Sequence, residues 1–165
     1  LRHTDRVHSA SQAQLVNVIA PIMTEPGGRA WKQTIFHPFA LTSRHAKGDV
    51  LQVVLESPTY ETTRFGEVPL LDAVATFDAE SGELTVFAVN RSQEEALPLA
   101  IDLRDGAYEL VEAVTYSSDD HAWQASADDD TSVLPVANTT ATVDGATVTA
   151  TLPAVSWSMF RLARG

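Results

Sequence analysis

An antiparallel β-sandwich is the fold this sequence predicts for most of its length, and three observations predict it. Beyond Gly48 the chain breaks into short runs rich in Val, Thr, Leu and Phe, separated by turn residues at regular spacing. No segment between these runs carries the apolar period of about 3.6 residues that marks an amphipathic helix. In Thr147, Val148, Thr149, Ala150, Thr151 and Leu152 polar and apolar residues alternate strictly, as a strand with one wet face and one buried face requires. About eight strands in two packed sheets, arranged in the manner of a jelly roll, satisfy this pattern. The class is therefore mainly β.

Residues 1–47 read differently. Residues 16–23, which include Val16, Val18, Ile19, Ile22 and Met23, are almost wholly apolar and are expected to be buried on every side. Their β-branched residues favour a strand, while the lead-in from Ser9 to Leu15 favours a helix, and the pattern leaves both open. Glu25-Pro26-Gly27-Gly28 is a loop, because Pro fixes one backbone angle and the glycines free the next. Pro38 is suited to the first position of a helix through Phe39, Leu41, Arg44 and His45, since its missing N–H is not needed there. Gly48 ends that helix, and Arg44, His45 and Lys47 place positive charge at the negative end of its dipole. These pieces are too few for a core of their own, so residues 1–47 read as part of something larger than this chain.

Strands are expected over residues 50–56, 70–77, 84–90, 97–103, 108–116, 140–143, 147–152 and 156–162. Residues 78–83 make one hairpin connection, and Arg104-Asp105-Gly106 makes a turn. Asp144-Gly145 is expected at the centre of a type I′ turn between the two strands it joins. Residues 117–132 form a long irregular stretch holding Asp119, Asp120, Asp128, Asp129 and Asp130, with His121 and Trp123 among them. They lack the Asp-x-Asp-x-Asp-Gly spacing of a calcium loop and read as surface.

Composition narrows the function. The chain has 165 residues, 44% of them apolar, enough for one domain with a core and some added structure. It has no cysteine, which excludes disulfides and thiolate metal sites and fits a reducing, cytoplasmic setting. It begins with Leu1 rather than Met, and its charged opening reads as a cut end rather than a leader. The net charge of −11 divides unevenly: residues 1–47 hold six Lys/Arg against two Asp/Glu, and residues 48–165 hold five against twenty. An acidic surface of that kind repels nucleic acid and anionic lipid, and no apolar run approaches the roughly 20 residues needed to span a bilayer. Two units are expected, 1–47 and 48–165.

Catalytic signatures are missing. The histidines at 3, 8, 37, 45 and 121 form no His-x-x-x-His pair for zinc, no Gly-x-Ser-x-Gly elbow occurs, and Gly27-Gly28 lacks the partners of a phosphate cradle. No cofactor, metal or catalytic residue is therefore assigned. The densest unusual cluster is residues 25–34, a flexible turn feeding Trp31 and Gln33. An aromatic face beside an amide is how carbohydrate is commonly held, the ring covering C–H surface and the amide exchanging hydrogen bonds with hydroxyls. The residues alone favour the plainer alternative, Trp31 as core and Gln33 as an ordinary surface residue, over Trp31 as a cleft wall and Gln33 as a sugar contact.

Ala13-Gln14-Leu15-Val16-Asn17-Val18-Ile19-Ala20-Pro21-Ile22-Met23-Thr24, then Gly27-Gly28-x-Ala30-Trp31-x-Gln33-Thr34-Ile35-Phe36-x-Pro38-Phe39, resembles the C-terminal edge of the catalytic barrel in family 51 α-L-arabinofuranosidases. Shorter markers extend the likeness: Val68-Pro69-x-Leu71-Asp72-Ala73-Val74-Ala75, Leu84-Thr85-Val86-Phe87-Ala88-Val89-Asn90-Arg91 and Leu152-Pro153-x-x-Ser156-Trp157. The resemblance implies that residues 1–47 are a remnant of the last strand/helix unit of a (β/α)8 barrel and that 48–165 are the sandwich behind it. It implies a retaining hydrolase of terminal α-L-arabinofuranosyl residues in arabinan, arabinoxylan or arabino-oligosaccharides, commonly a homo-oligomer. Both catalytic glutamates would lie upstream, since none of the ten glutamates here follows Asn or precedes Trp. Of the family's sugar contacts Gln33 maps onto this chain, while Lys32 stands where Arg is usual and His37 where an aromatic is usual. A stand-alone sugar-binding or structural sandwich is the rival reading; a buried strand-helix unit without its neighbours argues against it.

Overall fold

Thirteen β-strands and one α-helix are present in the computed structural model, which describes residues 1–104 and 106–165. Asp105, in the middle of the expected Arg104-Asp105-Gly106 turn, lies outside the described residues. Strands β6 (Leu71–Asp78), β7 (Glu83–Asn90), β8 (Leu97–Asp102), β9 (Tyr108–Tyr116), β11 (Thr142–Asp144), β12 (Thr147–Leu152) and β13 (Ser156–Arg164) match expected strands to within two residues at each end. With β3 (Asp49–Leu51) and β10 (Val136–Ala137) they form two antiparallel sheets, ordered β10-β9-β13-β7-β6-β3 and β11-β12-β8.

Alternation decides which side chains meet between the sheets. Ala73 pairs with Ala88 and Ala75 with Val86 across β6 and β7, while Val86 pairs with Phe160 and Leu84 with Leu162 across β7 and β13. These face Leu97 and Leu99 of β8 and Val148, Ala150 and Leu152 of β12, giving one core. Val148, Leu152, Phe160 and Leu162 are wholly buried there. Burying an aliphatic or aromatic side chain of this size contributes about 1.5–3 kcal/mol. Among the buried polar residues, Thr115 and Ser158 share a 2.8 Å hydrogen bond between their hydroxyls, so neither is buried unsatisfied.

The hairpin between β11 and β12 turns one residue later than expected. Asp144 pairs with Thr147, so the two-residue loop is Gly145-Ala146, with positive φ at Gly145 and not at Ala146, the pattern of a type II′ turn. This register sets Val143 opposite Val148 and lets the Thr142 and Thr149 hydroxyls meet at 3.0 Å. The expected strand over residues 50–56 stops at Leu51; β3 is a sheet edge, and Val54 beyond it faces solvent. A two-stranded ribbon that the alternation did not predict, β4 (Thr59–Thr62) with β5 (Gly66–Pro69), stands between β3 and β6 in the chain.

Helix α1 (Phe36–His45) starts two residues before Pro38, which still lies in the first turn where backbone N–H groups have no helical partner. It runs over the outer face of the six-stranded sheet. At its start the His37 ring lies 5.3 Å from that of Tyr116 on β9; at its end His45 lies within electrostatic reach of Arg161 on β13. Phe87 and Met159, opposite each other on β7 and β13, point away from the core and are nevertheless buried. Before the helix, β1 (Ile22–Thr24) and β2 (Ala30–Lys32) form an antiparallel hairpin.

Residues 16–19 are bends and a turn, with Val16, Val18 and Ile19 exposed at 44%, 79% and 63%. The expectation of burial on every side is corrected: burial requires neighbours, and no element among the described residues covers this segment. Asn17 and Val18 have positive φ, and the Asn17 amide secures the bend by accepting from the Thr24 N–H at 2.7 Å and donating to the Thr24 hydroxyl at 2.9 Å.

Candidate functional site

The β1–β2 hairpin gives Gln33 a fixed base. Met23 stands opposite Trp31 and Ile22 opposite Lys32. Its loop closes through Glu25 N–H donating to the Arg29 carbonyl and Gly28 N–H to the Glu25 carbonyl, both at 3.0 Å, with Gly27 at φ +69°. A side chain at position 27 would meet that left-handed backbone at a steric cost glycine avoids.

Gln33 leaves the end of β2. Its N–H donates to the Pro21 carbonyl at 2.8 Å, and its carbonyl accepts from the Phe36 N–H at 2.9 Å. The main chain is thus fixed on both sides, while the half-buried side-chain amide has no hydrogen-bond partner among the described residues. The main chain at Gln33 therefore has little conformational freedom left to lose, while its side chain keeps its own. Trp31, two residues back, is also half-buried, and its indole N–H donates to the Ala125 carbonyl at 3.2 Å. The ring is therefore set against residues 117–132.

The acidic stretch has no helix or strand of its own, yet it is organised. Asp129 accepts from the Trp123 indole at 3.3 Å and from the Ser132 N–H at 3.0 Å, and these bonds hold its carboxyl below the ordinary range, with Ser132 the main cause. Arg29 donates to Asp130 at 3.1 Å and to the Ala127 carbonyl. The Gly-Gly turn and the aspartates, separate features of the sequence, are one cluster in space. The complementary signs of the two segments were the available signal for it, and a second cross-segment pair, Arg2 with Asp72, follows the same logic.

Several other titratable groups have partners of their own. Arg161 binds Glu83 through two bonds, at 2.6 and 3.1 Å, and Glu112 at 2.9 Å. Two carboxylates converge there, but both serve one guanidinium, which holds Glu83 below its ordinary range rather than leaving one acid protonated as an acid/base pair needs. His37, between the Phe36 and Tyr116 rings, is pushed down by burial and then by Lys32. Lys32 itself lies 4.8 Å over the Phe36 ring. A groove lined by Arg2, Thr42, Asp72, Val74, Phe87 and Trp157 contains neither Trp31 nor Gln33, and its Asp72 is taken by Arg2 and Arg91. No group of three or more metal-ligating side chains occurs among the described residues.

Known proteins share both this sequence and this fold. Residues 1–156 match the family described as the alpha-L-arabinofuranosidase C-terminal domain. The chain is 52% identical over 162 residues to an exo-alpha-(1->6)-L-arabinofuranosidase of Bifidobacterium longum, covering 96% of the chain and 31% of that protein. It is 47% identical over 167 residues to an intracellular exo-alpha-(1->5)-L-arabinofuranosidase of Streptomyces lividans, covering 99% and 25%. The solved family 51 α-L-arabinofuranosidase of Bifidobacterium longum superposes with a TM-score of 0.92 at 42% identity, over 98% of the chain and 32% of its own. The family 51 arabinofuranosidase of Xanthomonas axonopodis pv. citri gives 0.87 at 26%, over 98% and 32%. The chain spans between a quarter and a third of the length of these relatives.

Proposed function

This chain belongs to the α-L-arabinofuranosidase C-terminal domain family, and on that premise we propose that it is the closing part of a retaining exo-acting enzyme that releases terminal α-L-arabinofuranosyl residues from arabinan, arabinoxylan or arabino-oligosaccharides. The observation that carries the reading is the 52% identity to a named arabinofuranosidase over 96% of the chain. In this reading residues 1–47 complete the edge of the catalytic barrel, residues 48–165 form the sandwich that supports it, and both catalytic glutamates come from upstream. Gln33 contacts the sugar, and Trp31 stands at the same site.

The upstream barrel is the partner this chain requires. Leu15, Val16, Val18 and Ile19 form an exposed apolar row of the kind that soluble proteins cover, which supports that reading over a stand-alone module. No helix among the described residues is long and apolar enough to cross a membrane. Several relatives are named intracellular, in keeping with a cytoplasmic enzyme, and a homo-oligomer is the expected assembly.

The test compares the isolated 165-residue chain with the full-length protein on an aryl α-L-arabinofuranoside, and then on (1→5)- and (1→6)-linked arabinobiosides. Full-length protein is expected to turn over and the isolated chain to be inert. Turnover by pure chain, free of any longer species, would overturn the reading.

A further inference from the structure

The Gly-Gly hairpin that carries Gln33 is tied to the sandwich by three side-chain hydrogen bonds, all to one loop. Arg29 donates to Asp130 and to the Ala127 carbonyl; Trp31 donates to the Ala125 carbonyl. The loop can serve as an anchor because it is closed on itself. Asp129 accepts from the Trp123 indole and from the N–H groups of Thr131 and Ser132, and its own N–H donates to the Ser126 hydroxyl at 3.1 Å. The Ser126 N–H returns a bond of 2.8 Å to the Asp129 carbonyl. Ala125, the acceptor for Trp31, is buried.

We propose that residues 117–132 are a positioning device for the sugar-binding hairpin: Asp130 and the carbonyls of Ala125 and Ala127 hold Arg29 and Trp31 so that Gln33, next along the strand direction, meets its hydroxyl in register. The proposal rests on the arabinose-site reading of Gln33. It gives the acidic loop a task that needs no ligand of its own, and it makes the sandwich part of the site's geometry. A planar guanidinium that engages a carboxylate and a carbonyl together fixes direction as well as distance. Small displacements of a substrate-positioning group reduce rate steeply, because orientation is part of the barrier. An ion pair this exposed contributes little to global stability, so positioning and folding are separable by experiment.

The experiment uses full-length protein and a double-mutant cycle in kcat/KM on an aryl α-L-arabinofuranoside. Asp130→Ala is expected to lower kcat/KM about threefold, and Asp129→Ala with Asp130→Ala about tenfold, with Tm within a few degrees of wild type. In a Gln33→Ala background the same aspartate changes are expected to add less than about twofold, because the group they position is gone. Wild-type kcat/KM in the aspartate variants, while Gln33→Ala is impaired, overturns the positioning role. So does a full multiplicative loss in the Gln33→Ala background. If Gln33→Ala itself is within twofold of wild type, the arabinose-site reading is what has failed, and the proposal falls with it. Should the double aspartate variant unfold, Asp130→Ala alone decides.

Discussion

The side-chain amide of Asn90 donates to the main-chain carbonyl of Leu152 at 3.1 Å, joining the end of β7 to the end of β12 inside the sandwich. The same nitrogen lies 2.9 Å from the Pro153 carbonyl and 3.0 Å from that of Glu95, while the side-chain oxygen accepts from the Ser92 N–H at 2.9 Å. Asn90 is buried, and these bonds match its amide to main-chain groups at the corner where β7 and β12 end. Asn90→Ala removes the amide from the Leu152 and Glu95 carbonyls, while the Pro153 carbonyl keeps the Ser156 hydroxyl at 2.7 Å, and it is expected to destabilise the fold by about 2–4 kcal/mol. Urea unfolding checks it; a loss below about 0.5 kcal/mol would show that the corner does not depend on this amide.

Gly48 lies just past the C-terminal end of α1 at φ +71°, and a Cβ built there would lie 2.0 Å from the Phe77 carbonyl oxygen. Strain and overlap act together, and Gly48→Ala is expected to cost about 2–4 kcal/mol. Gly66 is the control, with φ +65° and no atom within 4 Å of the built Cβ. Gly66→Ala is expected to cost only about 1 kcal/mol, the backbone part alone. Equal Tm losses for the two would refute the close approach of β3 to β6.

Gln33→Ala in the full-length protein is expected to lower kcat/KM by roughly ten- to a thousand-fold, because a hydroxyl contact that tightens in an oxocarbenium-like transition state outweighs an ordinary hydrogen bond. Kinetics beside wild type at matched folding stability decide the matter. Activity within twofold of wild type removes Gln33 from the site.

Acid should destabilise the fold in two stages. His37 and His45 are held below their ordinary value of 6.5, chiefly by burial. Between the folded value and 6.5 the unfolded chain binds more protons, so stability falls as pH drops through that window and is level above it. Glu83 is held below 4.5 by Arg161, so its contribution is present above 4.5 and lost as pH falls through the folded value. Urea midpoints across the two windows are expected to show both losses. Combined His37→Gln and His45→Gln should flatten the first and leave the second; an unchanged slope below 6.5 would refute the histidine assignment.

Much of the sandwich was legible because its strands are half-buried, and half-burial writes itself as alternation. Val148, Ala150 and Leu152 go inward and Thr149 and Thr151 outward. The ribbon of β4 and β5 escaped because it is mostly exposed, so Tyr60, Glu61 and Glu67 carry no inward-outward contrast. The Asp144-Gly145 dipeptide marked the hairpin correctly, but the register came from pairing Val143 with Val148. In the candidate site, Trp31 and Gln33 stood out as residue types beside a Gly-Gly turn. Arg29 did not, because its partners Ala127 and Asp130 are about a hundred positions away.

By itself, the sequence determined the class, the spans of seven sandwich strands, the helix with its basic end and the motif that places the chain in its family, since each depends on neighbours a few positions apart. Only the tertiary structure decided that α1 lies on the outer face of the six-stranded sheet, that residues 16–19 are uncovered, and that the acidic loop grips the hairpin of Gln33. Those are relations between distant segments, and they arise from which surfaces meet on folding rather than from any local preference of the chain.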